Sequence, residues 1–225
     1  MATRIAAELQ SLRYAEDVKR LYHQLRRSIC QSLLGLANAL EAKDPYTRGH
    51  SERVGAWGGR LATAMSLPPG EVETITQAGL LHDIGKIGVP EAVLRKRAGL
   101  APDEWALMRQ HPVIGAQIVA PFEFFAGGSL VIRHHHERWD GTGYPDGLAG
   151  DDIPLAARVI GAAEVYDALS TARPYQERMT ADQAVRRMEE LSGSVLDPAV
   201  YQALSEVVTR RRSLVFLDEA AEGPI

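Results

Sequence analysis

The sequence predicts an all-α protein, a helical bundle preceded by one long N-terminal helix. Three observations carry this. Apolar residues recur three and four apart at Ile5, Leu9, Leu12, Val18, Leu21, Leu25, Ile29, Leu33, Leu36 and Leu40, with no proline before Pro45, which is one uninterrupted amphipathic helix. Later apolar stretches keep that period and are broken by Pro/Gly clusters such as Pro68-Pro69-Gly70. Six of the seven histidines lie between His50 and His136, and the groups His50, His82, His111, His135 with His136, and Glu164 follow one another at intervals of 24 to 32 residues. Each interval is about one helix and its connection, so a bundle can bring one ligand group per helix to a common centre.

Charges at Glu16, Asp17, Lys19, Arg20, Arg26 and Arg27 alternate with the apolar positions of the first helix. Residues 1–35 therefore read as a stalk or coiled-coil linker, with a homodimer formed through it as the expected assembly. Residues 36–225 read as the folded domain. There, Thr47 is placed to cap a helix running to about Met65, and a second helix is expected over Glu71 to about Ile84, with His82 and Asp83 in its last turn and Gly85 turning the chain. Pro102-Asp103-Glu104 opens a helix carrying Trp105, Met108 and His111. Further helices are expected at 112–119, 128–138, 154–170, 180–191 and 197–210, with a Gly/Pro-rich loop at 141–154. Trp57 and Trp105 read as core. Glu137 and Asp140 read as acceptors that orient the paired histidines, and His134 as an outer neighbour.

Composition narrows the class. The chain has 225 residues, 45% of them hydrophobic, and a formal charge of −4, enough apolar content for a core and the wrong sign for long nucleic acid. No apolar run reaches the length of a membrane span, and MATRIAAELQ lacks a signal-peptide core. One cysteine, Cys30, rules out an internal disulfide and fits a cytoplasmic location. It also removes a zinc-finger reading.

Read in order, DPYTRGHSERV at 44–54, LLHDIGKIGVP at 80–90, HPVIGAQI at 111–118, HHERWDGTGYPDGL at 135–148, IPLAARVIGAAEVYDAL at 153–169 and RPY at 173–175 resemble the HD-GYP phosphodiesterases, a branch of the HD metal-dependent phosphohydrolases, over roughly residues 36–205. The resemblance implies an HD-type bundle that hydrolyses cyclic di-GMP to linear pGpG or onward to GMP, by attack of metal-bound hydroxide on the phosphodiester. It implies metal ligands at His50, His82, Asp83, His111, His135, His136 and Glu164, with Asp83 also counted in the catalytic centre. Lys86 lies beside the reacting phosphate, and Arg173, Tyr144 and Gln176 meet substrate.

Glu164 stands where the family usually has aspartate, and Gln176 where it often has lysine or arginine. Tyr46 stands where members with three metals tend to have glutamate, which favours two. Histidine-rich coordination selects transition metals, Fe or Mn first, then Ni, Co or Zn, over Mg or Ca. Asp167 is assigned a supporting role. Trp139 is a candidate for stacking on guanine, and the Gly143-Tyr144-Pro145 loop for contacts with signalling proteins. The competing function is a catalytically weak or inactive member that acts as a cyclic-dinucleotide receptor or protein-interaction module.

Overall fold

A computed structural model describes residues 2–42, 49–96, 98–171 and 178–221. In chain order the helices are α1 Ala2–Glu41, α2 His50–Ala64, α3 Pro69–Leu81, α4 Glu91–Leu94, α5 Pro102–Met108, α6 His111–Val119, α7 Ala126–His134, α8 Leu155–Ser170, α9 Ala181–Glu189 and α10 Pro198–Ala221. Short 3-10 turns lie at Ile84–Gly88, Glu123–Phe125 and Gly150–Asp152. Among the described residues there is no strand, only an isolated bridge between Ser192 and Leu196.

The bundle closes around α2, which packs on α3 and α8, while α7 covers α3 and α6. The apolar face of α2 is Val54, Trp57 and Leu61, a three-and-four spacing. It meets Ile75 and Ala78 of α3, Val159, Ile160 and Ala163 of α8, and Leu204 of α10 in one continuous core. Each fully buried Leu or Ile there contributes about 2 kcal/mol against leaving it in water. The α9 start is held by a capping box. The Thr180 hydroxyl accepts from the Gln183 amide at 3.3 Å, and the Gln183 side chain accepts from the Thr180 amide at 2.8 Å.

Helix α1 splits into two regimes. Residues 8–25 are exposed throughout. From Arg26 onward the helix docks: Arg26 pairs with Glu73 at 2.9 Å, and Leu33 and Ala37 are buried against the bundle. One helix thus runs without interruption from an exposed segment into the bundle.

Several boundaries differ from the sequence expectation. The α3 helix ends at Leu81, so His82 is its C-cap residue and Asp83 precedes the 3-10 turn. His111 does not ride on the helix begun at Pro102; it starts α6, with Pro112 beside it, after a break at Arg109-Gln110. Proline fits a helix's first turn and disfavours an unbroken helix running into it, a signal that separates the two. The α7 helix stops at His134, leaving His135 and His136 beyond its end. Thr47 and Tyr46 lie outside the described residues, as do Arg173 and Gln176.

Gly85 lies in the turn Ile84–Gly88 and also serves a close contact. A Cβ there would sit 1.9 Å from the His111 carbonyl oxygen and 2.4 Å from the Gly115 amide nitrogen, so the 3-10 turn and α6 touch backbone to backbone. Gly85→Ala is expected to force these elements apart and cost about 3 kcal/mol or more; urea denaturation of the variant with an unchanged midpoint overturns this.

Candidate metal centre

Three of the buried histidines of the centre are oriented by the backbone just before them. The Nδ1 of His82 lies 2.7 Å from the Gly79 carbonyl oxygen, that of His111 2.8 Å from Met108, and that of His135 2.7 Å from Ile132. In each case the partner is three residues upstream, a carbonyl freed by the end of a helical turn. A carbonyl only accepts, so Nδ1 carries the proton and Nε2 presents a lone pair. His50 reaches the same state differently: its Nδ1 donates to Asp167 at 2.7 Å, and Asp167 is clamped by Arg53 at 2.5 and 3.1 Å.

The lone pairs converge. Three overlapping groups have ligand atoms within 4.8 Å of one another: His82, Asp83 and His135; His111, His135 and His136; His50, His82 and Glu164. The Nε2 atoms of His111 and His135 face each other at 3.4 Å, two acceptors with no proton between them in this tautomer. His82 Nε2 and Asp83 Oδ1 are buried without a hydrogen-bond partner. Unsatisfied buried acceptors each cost about 1–3 kcal/mol, and a cation relieves all of them together. The donor set fits a divalent-metal site.

Electrostatics prepare the same outcome. Burial lowers the pKa of His111 to about 4, lowers that of His82, and drives that of His135 well below its ordinary value. These rings are neutral at neutral pH. Burial opposes ionisation of Asp83, yet Lys86 at 2.6 Å and the neighbouring histidines hold its carboxyl well below the usual range. Glu164 is also lowered, burial again being outweighed, chiefly by His136, whose Nδ1 lies 3.7 Å from its carboxylate. For His50 burial disfavours the charged ring, but the Asp167 hydrogen bond and the carboxylates prevail and raise its pKa.

The structure brings all seven expected ligand residues to one centre, with Lys86 at its edge. Tyr144 closes it from above, its ring 4.8 Å from that of His136. His134 stays outside, held by Asp146 and the Leu130 carbonyl. Three expectations are corrected. Glu137 does not orient the histidines; it accepts from the amides of Asp146, Gly147 and Leu148 and so folds the loop after Tyr144. Asp140 bonds to Thr142. Trp105 is 47% exposed and lines a cleft beside Tyr144 instead of the core. Trp139 is half-buried, with the Arg158 guanidinium 5.4 Å from its ring. Sequence reasoning missed Arg53, which supports Asp167; its position one turn after His50, on the same face, was the available signal.

In the unfolded chain these histidines protonate near pH 6.5, whereas in the fold His111 does so only at about 4. Groups with depressed folded pKa values give stability that is present above the unfolded pKa and lost as pH falls through it toward the folded one. His50, raised, acts in the opposite sense but is one ring against three. The metal-free protein is therefore expected to lose stability from about pH 6.5 downward. Urea midpoints measured in chelator should drop between pH 7 and pH 5; a flat profile overturns this.

A family model described as an HD domain matches residues 35–200. The "cyclic di-GMP phosphodiesterase response regulator RpfG" of Xanthomonas campestris is 42% identical over 176 residues, covering 77% of this chain and 47% of that protein. A "cyclic di-GMP phosphodiesterase" of Thermotoga maritima is 39% identical over 174 residues, 76% of this chain and 47% of the relative. A "3'3'-cGAMP-specific phosphodiesterase" of Vibrio cholerae is 39% identical over 169 residues, covering 75% and 37%. The chain thus spans less than half the length of these relatives. Among solved structures, a cyclic GMP-AMP specific phosphodiesterase from V. cholerae superposes with a TM-score of 0.64 at 19% identity, over 82% of this chain and 50% of that one, a likeness of fold. A protein described as HDG"Y"P from Bdellovibrio bacteriovorus gives 0.58 at 26% identity, over 71% and 51%. With its LLHDIGK turn and GTGYP loop at one histidine-lined centre, the chain belongs to the HD-domain family and, within it, to the HD-GYP branch.

Proposed function

We propose that this chain hydrolyses cyclic di-GMP to linear pGpG or onward to GMP, at a centre of two divalent transition metals, iron or manganese. The observation that carries the reading is the set of inward-facing, proton-free acceptors, above all the 3.4 Å approach of His111 and His135, enclosed by the loop whose sequence marks cyclic-dinucleotide phosphodiesterases. The relatives named for cyclic di-GMP and for cGAMP support the substrate class.

The overlap of the three ligand groups suggests the division of labour. His82 and His135 each belong to two groups, and with Asp83 they form the common floor. His111 and His136 complete one side, and His50 and Glu164 the other. Glu164, one methylene longer than aspartate, still reaches within 4.8 Å of the His50 and His82 ligand atoms, which supports its role as a ligand. Two divalent cations held there supply Lewis acidity, lowering the pKa of water and screening the phosphodiester's charge.

The side chains do the rest. Lys86, tethered to Asp83 at 2.6 Å, places an ammonium at the rim, where it stabilises charge developing on phosphate oxygens. Burial and the nearby carboxylates push the Tyr144 phenol up, so it remains a neutral hydroxyl able to donate to substrate. Asp167 with Arg53 keeps His50 in the tautomer that offers Nε2. Arg173 and Gln176, carried over from the resemblance, complete the substrate contacts. The exposed stripe of α1, with Leu9 55%, Leu12 60%, Val18 66%, Leu21 59% and Leu25 61% accessible, is assigned to pairing with a second copy, since an isolated helix gains little from an apolar face left in water.

The test is turnover of cyclic di-GMP by protein loaded with Mn or Fe, with metal content measured in parallel. Wild type is expected to release pGpG, and His82→Ala and Asp83→Ala to fall to background. Glu164→Asp should retain or raise activity, and Glu164→Ala should lose metal. Retained binding of cyclic di-GMP with no turnover under either metal makes the chain a receptor instead. For the stalk, Leu21→Glu is expected to convert a dimer to a monomer by light scattering; a wild-type monomer at micromolar concentration overturns the pairing.

A further inference from the structure

A cleft of about 1200 Å³ opens between α5 and the GTGYP loop. Its charged lining consists of two arginines, Arg109 and Arg138, and no carboxylate. Both are exposed, and among the described residues neither takes part in an ion pair. Arg109 lies with its guanidinium 5.3 Å from the centre of the Tyr144 ring, and Arg138 has a long 3.5 Å contact with the Thr142 hydroxyl. Elsewhere in the domain Arg53, Arg133 and Arg158 are each held by a carboxylate. Asp140 acts on Arg138 from outside the cleft, but two guanidiniums facing a cleft whose lining holds no carboxylate favour an anion there, and the planar fork suits phosphate oxygens.

The cleft also offers flat surfaces. Trp105 presents its indole to solvent at 47% exposure, unusual for the largest apolar side chain and suited to stacking on a base. Gly143 keeps the wall low: a Cβ there would come within 2.3 Å of the Arg138 amide nitrogen, so the loop backbone lies directly on the segment after the paired histidines. Tyr144 then joins this cleft to the metal centre. It lines both the cleft and the smaller cavity of about 300 Å³ that contains His136 and Glu164, and its ring contacts both His136 and Arg109.

On the reading of the chain as a cyclic-dinucleotide hydrolase, we propose that this cleft is the subsite for the second, non-reacting nucleotide of the substrate, with its phosphate between Arg109 and Arg138 and its purine on Trp105. One phosphodiester lies at the metal centre while the other, carried around the same ring, passes over Tyr144 to the arginines. The subsite distinguishes a cyclic dinucleotide from a simple phosphodiester, because only the former extends a second phosphate and base across Tyr144.

The experiment compares kcat/KM for cyclic di-GMP with that for bis(p-nitrophenyl) phosphate, which has no second nucleotide, in the Mn-loaded chain and its Arg109→Ala, Arg138→Ala, double and Trp105→Ala variants. The ratio of the two is expected to fall about tenfold for each arginine removed, through KM for cyclic di-GMP, with Arg109→Lys recovering part of the loss. A ratio within twofold of wild type in the double variant, or parallel loss on both substrates, overturns the subsite. If wild type cleaves bis(p-nitrophenyl) phosphate but not cyclic di-GMP, the functional reading falls. Calorimetric titration with cyclic di-GMP then decides the cleft separately: one molecule bound per chain, weakened in the double variant, upholds it, whereas equal affinities or a second independent molecule overturn it.

Discussion

The constraint on which the rest of the structure depends is the enforced meeting of like groups. His111 and His135 point their Nε2 lone pairs at each other across 3.4 Å, and His82 and Asp83 add further unsatisfied acceptors. Left to themselves these side chains would rotate toward water or toward donors. They cannot, because each Nδ1 proton is committed to a carbonyl three residues upstream, and those carbonyls belong to packed helical ends. The bundle therefore stores an unfavourable arrangement that a cation makes favourable, and metal affinity is gained from strain the core has already imposed.

The same constraint explains the acids. A site built only of neutral rings would leave the charge of two divalent cations unbalanced, whereas burial pushes an unpartnered carboxylate toward protonation. Asp83 remains ionised chiefly because the Lys86 ammonium lies 2.6 Å away; at an effective dielectric constant of 20, a unit pair at 4 Å is worth about 4 kcal/mol, enough to offset much of the desolvation. Asp167 is kept ionised, at about 2, against burial by its hydrogen bonds to His50 and Arg53. The two aspartates thus have different work: Asp83 is part of the acceptor set, and Asp167 fixes the orientation of a ring that belongs to it.

Much of this was legible in the chain because helical bundles translate sequence intervals into positions. One histidine group per helix-length interval is sufficient to predict a common centre, and all seven ligand positions meet there. What was not legible depended on contacts between distant backbones. Gly85 is silent in sequence because its role is set by Gly115, thirty residues away. Trp105 reads as core by residue type, yet α5 has no buried residue and Trp105 faces the cleft. Glu137 is adjacent to the paired histidines in sequence, but an α-helical end turns it the other way, toward the loop amides. Adjacency in sequence is a poor guide wherever a helix terminates.

The stalk and the centre are one mechanical unit for a related reason. The α2 helix begins at His50 behind Gly49, which has no side chain to cap it. The missing cap comes from α1: Glu41, its last residue, accepts from the amides of Gly49 and Ser51 at 2.9 and 2.8 Å, on either side of His50. A carboxylate at a helix start satisfies orphan donors and favours the dipole, so the end of α1 stabilises the turn that presents His50. With Leu33 and Ala37 buried and Arg26 paired to Glu73, α1 cannot rotate about its axis without breaking those contacts or drawing the His50 backbone with it. The position of one ring in the acceptor set is therefore tied to the orientation of a helix that is exposed over residues 8–25.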